Sequence, residues 1–318
     1  MSRFLHVANG TSVTDTLATT TIPGARSIWA DPLYDGPVPD LSDEELVELR
    51  TRFLLGSDEP DDDRWNDLRR WREVIDDHGS YDELVLWFEH DLFDQLNLIQ
   101  LLSWLRSRGP GGKTVSLICI GSFPGRPDFH GLGELTAPEL ESLFDARRPV
   151  SDAEYALAER AWQAFRQPTP QSLDEFRHSN TSAMPFLSRA LERFLEEFPS
   201  TRDGLSRSER RVLQVAEEGV ALSPGFRRMH QGEDAYYIGD ESFMNLIDEL
   251  SRTEPPLVLV AGRTLGLTAE GRAVLAGQRD RVAYGLDRWL GGVHLKTGET
   301  DMWRWDDDER RVKLTSAK

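Results

Sequence analysis

The sequence predicts an α/β protein: an open, mostly parallel sheet with helices on both faces, followed by a helical extension and a smaller C-terminal module. Three observations carry that reading. Within the first ~120 residues, four short apolar runs end in polar residues and alternate with helical patterns, as buried parallel strands joined by crossover helices do. Beyond Gly125 the pattern turns to capped helices alone. From Leu205 onward 17 Lys and Arg face 19 Asp and Glu, whereas residues 1–204 set 20 against 36. These shifts divide the chain into a sheet domain (1–130), a helical extension (131–204) and a C-terminal domain (205–318).

The elements follow in order. Arg3 to Ala8 reads as the first strand and Asn9-Gly10 breaks it; Thr11 or Ser12 can then cap a short helix from Val13 to about Thr20. Pro23-Gly24 turns the chain into a second strand, Arg26 to Ala30, which stops at Asp31-Pro32. Ser42 and Glu45 stand three apart between Leu41 and Leu46, the pattern of a capping box with a hydrophobic staple, so a helix begins there. Ser57 to Asp63 is acidic and interrupted by Pro60, which suits a solvated loop better than a metal site. Trp65 to Asp77 reads as a helix with Leu68, Trp71 and Ile75 on one face. Leu84 to Phe88 is the third strand; it ends abruptly in Glu89-His90-Asp91 and runs at once into a helix from Leu92 to Arg106. Gly109-Pro110-Gly111-Gly112 ends that helix, and Thr114 to Ile120 forms a fourth strand that stops at Gly121-Ser122.

Two further capping boxes, Thr136 with Glu139 and Ser151 with Glu154, open a run of helices near 137–145, 152–166, 171–178 and 185–197. Phe198 to Gly204 marks the next boundary. A helix from Ser208 to Glu217, an irregular stretch, a helix from Asp240 to Ser251, a hairpin of Leu257–Val260 with Thr264–Leu267 and a last helix within 268–275 complete the pattern. Helices with one small hairpin make the C-terminal module winged-helix-like.

Composition limits the partners. A net charge of −18 repels phosphates at long range and so disfavours non-specific binding to nucleic acid or anionic membrane. Reading DNA would also need a basic recognition helix, and Asp240 to Leu250 is acidic. Arg207, Arg210, Arg211, Arg227 and Arg228 therefore read as packing or dimerisation residues, and Trp289, Trp303 and Trp305 as core. No apolar run approaches the roughly 20 residues that span a bilayer, and no secretory leader pattern opens the chain. The single cysteine, Cys119, lies in an apolar run and reads as a buried, inert thiol. A cytoplasmic protein is expected.

The chain resembles the bacterial DUF1835 domain-containing proteins, a family defined by a domain of unknown function. The residues that carry the resemblance are Leu5-His6-Val7-Ala8-Asn9-Gly10 with Ser12, Gly36-Pro37-Val38-Pro39, Trp87-Phe88-Glu89-His90-Asp91-Leu92 with Asp94-Gln95-Leu96, and Leu117-Ile118-Cys119-Ile120-Gly121. It continues through residues 181–187, 198–202, 289–293 and 303–305. The resemblance implies no activity.

In parallel sheets ligands bind where the strands end, so Asn9-Gly10-Ser12, Asp31, Glu89-His90-Asp91 and Ser122 should converge. Asp31, Glu89 and Asp91 supply carboxylates that could hold a divalent cation such as Mg²⁺, with substrate phosphates completing its shell. Acid–base catalysis without metal fits as well, a carboxylate orienting His90. Bland roles compete: Asp91 as a helix cap, His90 packed flat at the sheet edge, Asp31 in a turn, and His6 buried mid-strand. Asp94 and Gln95 sit in a helix's first turn beside the same edge. Neither a G-x-S-x-G elbow, an H-E-x-x-H motif nor a thiolate metal site is present. The expectation is a hydrolase or group transferase acting on a small phosphate-containing or nucleotide-like ligand. Glu89, His90, Asp91 and Asp31 would be catalytic, and His6, Asn9, Gly10, Ser12, Asp94, Gln95 and Ser122 ligand-binding. The alternative is a ligand-sensing regulator or adaptor whose C-terminal module contacts DNA or protein.

Overall fold

The computed structural model describes residues 3–56, 66–77, 79–109, 111–235 and 238–316. The acidic stretch Ser57–Asp63, Trp65 and Pro110 lie outside the described residues. The order is β1 (Phe4–Ala8), α1 (Thr11–Ala18), β2 (Ala25–Ile28), β3 (Gly36–Pro37), α2 (Asp43–Leu55), α3 (Asp67–Asp76), β4 (Glu83–Glu89), α4 (Leu92–Arg108) and β5 (Thr114–Ile120). Then come α5 (Ala137–Phe144), β6 (Arg148–Pro149), α6 (Asp152–Phe165), α7 (Gln171–Arg177), α8 (Leu187–Leu195), α9 (Arg207–Glu217), α10 (Leu222–Met229) and α11 (Asp240–Ser251). The chain closes with β7 (Val258–Ala261), β8 (Thr264–Leu267), α12 (Ala269–Leu275), β9 (Asp287–Gly291), β10 (Val293–Lys296), β11 (Asp301–Asp306) and β12 (Arg311–Ser316).

The main sheet runs β2-β1-β4-β5-β6, and its first four strands are parallel. All four C-terminal ends therefore share one edge. Alternation along β4 sends Leu84, Leu86 and Phe88 into the large core with α4 and α6, while Val85 and Trp87 face α1 and α5 in a second cluster. Helices cover both faces, as the apolar runs predict. The mixed character comes from β6, which pairs antiparallel with β5. It is a two-residue edge strand ending in Pro149, too short to leave a periodic signal among the helices.

The capping boxes at Ser42, Thr136 and Ser151 are present, and Ser206 with Glu209 adds another. Local chemistry fails in two places. Residue 10, not Thr11 or Ser12, is the N-cap of α1, and no side chain caps it; the Ser12 hydroxyl instead donates to the Gly133 carbonyl at 3.3 Å. The stretch after α9 is not irregular but holds α10. Its Ser223-Pro224-Gly225 resembles a turn, yet Pro224 falls in the first helical turn, where the missing N–H has no partner to lose, and Gly225 lets the helix close on Val215.

The C-terminal part carries more strand than its sequence suggests. A three-stranded sheet β10-β9-β3 places the N-terminal pair Gly36–Pro37 beside Leu290–Gly291, and Val38 N–H extends the ladder to the Gly291 carbonyl. The hairpins β11–β12 and β7–β8 are separate. Helices α9 and α11 and the β7–β8 hairpin follow in the expected order, with α10 added between the two helices. Four of the five arginines read as packing or dimerisation residues are ion-paired within the chain: Arg207 with Glu196 and Glu233, Arg210 with Asp203, Arg211 with Glu233, and Arg228 with Glu218, while Arg227 donates to the Ser223 hydroxyl at 3.3 Å. Trp305 is buried, and Trp289 stacks on His294 at 4.5 Å between centroids. Burial raises the Glu209 carboxyl, but Arg288 and Arg281 outweigh it and hold it down at about 2. Among the described residues no helix is long and apolar enough to cross a membrane.

Helix α4 is buried nearly all round against α6, α8 and the sheet, and its polar residues fasten strand ends to it. Asn97 both donates to the Asp31 carbonyl (2.8 Å) and accepts its N–H (3.0 Å), and Gln100 accepts the Trp29 indole N–H at 2.8 Å. Asp31, three residues beyond β2, meets Arg50 of α2 in a forked pair of 2.6 to 3.1 Å, both residues no more than 3% exposed. Removing one partner strands a buried charge. Arg50→Met should lower the unfolding free energy by about 3–5 kcal/mol in urea titrations, and the double variant Asp31→Leu/Arg50→Met should lose less than that single change.

Candidate carboxylate site at the sheet edge

The shared edge of the parallel strands bears a cavity of about 330 Å³. Its floor is Glu89, the last residue of β4, with Asp91 and Asp94 from the start of α4. All three are buried, and one carboxyl oxygen from each lies within 4.8 Å of the others. Local backbone chemistry sets this spacing. Asp91 is the N-cap of α4 and accepts the Asp94 N–H at 2.8 Å, while Asp94 accepts the Glu89 N–H at 2.8 Å. One turn of helix and one strand end thus converge on the same point. Gln95 completes the join by donating to the Glu89 carbonyl at 2.6 Å.

Asn9, at the end of β1, donates its amide to Glu89 Oε1 (3.1 Å) and to Asp94 Oδ2 (2.7 Å). One neutral side chain bridges two carboxyls. The remaining wall comes from the loop after β5: Leu132 N–H donates to Glu89 Oε1 at 2.6 Å, and Gly131 lies so close that an added Cβ would sit 2.1 Å from Glu89 Oε2. Gly10, Ser12 and Val13 of α1 complete one side, with Phe93, His130, Gly133 and Glu134 around the mouth.

Electrostatics follow from crowding acids away from water. Burial, with the Asp91 charge adding to it, pushes Glu89 up to about 8 against the opposing hydrogen bonds from Leu132 and Asn9. Burial pushes Asp91 up to about 6, and burial with both neighbouring charges holds Asp94 well above the ordinary carboxyl range. Such a group keeps protons or takes a cation near neutral pH. Glu89, Asp91 and Asp94 could together coordinate a metal ion, and among the described residues they are the His, Cys, Asp or Glu cluster with that spacing.

The other candidates lie elsewhere. Asp31 is at the same edge but spends both carboxyl oxygens on Arg50, on the α2 side of the sheet. His90 turns away from the cavity: its ring packs against Phe129 and Phe186, its Nδ1 is buried without a hydrogen-bond partner, and burial lowers its pKa. Among the described residues no carboxylate forms an ion pair with it, though the Asp234 charge acts on it from a distance. His6 is buried mid-strand, between the Trp87 indole N–H at 3.1 Å and the Pro23 carbonyl at 3.2 Å. Ser122 is exposed and does not line the cavity. Asp91 combines two of the roles weighed for it, since it caps α4 and joins the cluster. Burial pushes the half-buried Cys119 thiol up to about 12, with the nearby Asp94 charge adding to it, which keeps the thiol protonated and inert. The sequence reading missed His130, Gly131, Gly133 and Glu134. The available signal was His-Gly-Leu-Gly-Glu, a histidine and a glutamate flanking two glycines just ahead of a capping box.

No family model matches the chain, and no curated protein matches it.

Because Glu89 and Asp91 hold protons more tightly folded than unfolded, the native state binds more protons between about pH 4 and 8. The stability they contribute is complete below their unfolded values of 4.5 and 3.8 and is lost as pH rises through about 8 and about 6. In metal-free buffer, thermal unfolding should show Tm falling from pH 5 to pH 9. Glu89→Gln keeps the acceptor for Asn9 and Leu132 but cannot ionise, so its curve should be flatter and lie above the wild type at pH 8. Gly131→Ala should lower Tm at every pH, because the loop must retreat from Glu89.

Proposed function

We propose that this chain is an enzyme that binds a divalent cation such as Mg²⁺ at Glu89, Asp91 and Asp94 and uses the site for hydrolysis or group transfer on a small phosphate-containing ligand. The cluster of three buried carboxyls at the end of parallel strands carries this reading. A hard cation suits an all-oxygen donor set, and bound there it would draw electron density from a ligand oxygen. The residues of the chain do the rest. Asn9 holds Glu89 and Asp94 in register, Gln95 fixes the strand end, and the loop at Leu132 excludes bulk water from Glu89. The preference for phosphate is supported by α1, whose uncapped N-terminal turn contributes Gly10, Ser12 and Val13 to the same cavity, with no acidic residue in that turn. A cytoplasmic setting and membership of the DUF1835 family belong to the same proposal.

One contact favours a second reading, that occupancy of the site is sensed by the C-terminal module. The Tyr34 ring meets Phe93 of the cavity wall edge-on at 6.3 Å, and its hydroxyl lies 2.9 Å from Ser242 Oγ in the first turn of α11. A winged-helix-like module placed there would report a ligand to a partner. The acidic face of α11, with Asp240, Glu241 and Asp248 exposed, favours a protein partner over DNA.

Mg²⁺ or Mn²⁺ at millimolar concentration should raise Tm by several degrees at pH 8 and by much less at pH 5, where protons occupy the carboxyls. Asp94→Asn should abolish the shift, and a wild type indifferent to both ions at pH 8 would sink the cation reading. Hydrogen exchange of α11 amides should change on adding the ion for the sensing reading, and remain unchanged in Tyr34→Phe.

A further inference from the structure

A second cavity, of about 510 Å³, opens between the start of α2 and the later turns of α4 and α6, and it shares no lining residue with the carboxylate site. Its size is that of a small-molecule site. Two of its lining residues, Gln100 of α4 and Trp162 of α6, are only 4% and 6% exposed. The Trp29 indole N–H can only donate, so the Gln100 atom that receives it at 2.8 Å is the amide oxygen, and the amide nitrogen is the end that remains. Among the described residues that nitrogen has no acceptor, and neither does the Trp162 indole N–H. Neither nitrogen is sealed in the interior, and both residues line this cavity. Buried donors are almost always satisfied, so two of them meeting on one hollow from different helices call for an acceptor there. The half-buried Ser103 hydroxyl, three residues on from Gln100, lines the same space and has no partner among the described residues.

Charge decides the class of ligand. The ionised residues of the lining are engaged within the chain: Asp40 with Arg166 at 2.7 Å, Glu159 with Arg106 at 3.0 Å, and Asp43 with Arg72 at 2.9 Å. Arg166 also donates to the Pro39 carbonyl at 3.2 Å and to that of Leu41. Three carboxylates and three guanidiniums cancel, so a charged ligand would find no counter-charge, and the groups that remain are neutral N–H and O–H donors beside Leu46 and indole. We propose that this cavity binds an uncharged ligand rich in hydroxyl oxygens, a mono- or disaccharide, whose oxygens accept from Gln100 Nε2 and Trp162 Nε1 while its C–H face lies against Leu46 and the Trp162 indole. The proposal does not depend on the cation reading of Glu89, Asp91 and Asp94.

The test is binding to the full chain, measured by saturation-transfer NMR and calorimetry with D-glucose, D-galactose and maltose at millimolar concentrations. At least one sugar should bind saturably, and EDTA should leave that binding unchanged, which separates it from the carboxylate site. Trp162→Phe keeps the apolar surface and deletes the N–H, so affinity for that sugar should fall about 5-fold. Gln100→Glu keeps an acceptor for the Trp29 indole while removing the amide donors, and should weaken binding about 10-fold or more at neutral pH. Thermal melts of the free variants check that the fold persists; should Gln100→Glu unfold, Trp162→Phe and Ser103→Ala carry the comparison. Absence of saturable binding by all three sugars would overturn the inference, as would wild-type affinity in the folded variants or loss of binding in EDTA. Tighter binding of acetate than of any sugar would overturn it too, by marking an anion site.

Discussion

Mutual repulsion among three carboxyl groups withdrawn from water is the constraint on which this structure turns. Glu89, Asp91 and Asp94 approach within 4.8 Å only because backbone N–H groups of the α4 entry, the Leu132 N–H and the Asn9 amide each supply a compensating dipole. The cost is still visible in carboxyls displaced far above their ordinary range. A fold seeking stability alone would place apolar side chains there, as it does elsewhere along β4. Concentrating the unfavourable term at the C-terminal edge of a parallel sheet is a pattern that functional sites show.

The surroundings absorb that cost. Helix α4 begins at the site and its 17 residues run through the core, so its first turn is held by the packed helix behind it. Its polar residues answer strand ends one by one: Gln95 to Glu89, Asn97 to Asp31, Gln100 to Trp29. Beside it the segment from Asp31 to Val38 is fixed by Arg50 on one side, by Tyr34 on Phe93 and Ser242 in the middle, and by the ladder to β9 on the other. Two arginines, Arg281 and Arg288, share Glu209 and Glu249 in the C-terminal module, at distances of 2.8 to 3.0 Å. The large apolar core runs through all of these parts, from Leu5 to Val312.

Much of this was legible in the sequence, and for physical reasons. A run such as Leu84–Phe88 must be buried on both faces, and the abrupt change at Glu89 marks the sheet edge, so strand ends and the carboxyls there could be read directly. Capping boxes located α2, α5 and α6 because they are local chemistry. What escaped depends on contacts distant in sequence. Arg50 sits in a helix whose pattern reads as largely solvated, so nothing near it announces that Asp31 is its partner and is thereby removed from the cluster. Loop 130–134 has no periodicity, and its value lies in touching Glu89 some forty residues away. In β11 the tryptophans flank a charged residue, and the pair Gly36–Pro37 becomes a strand only because β9 lies beside it.

That last pairing bears on how the molecule is made. Gly36 and Leu290 are neighbours across a parallel ladder although about 250 residues separate them, an extreme of non-local contact. While the polypeptide is being synthesised, the stretch holding Tyr34 beside Phe93 cannot gain its ladder to β9 until the far end of the chain has been made. The support that β9 gives this wall of the cavity is thus the last to become available as the chain is made.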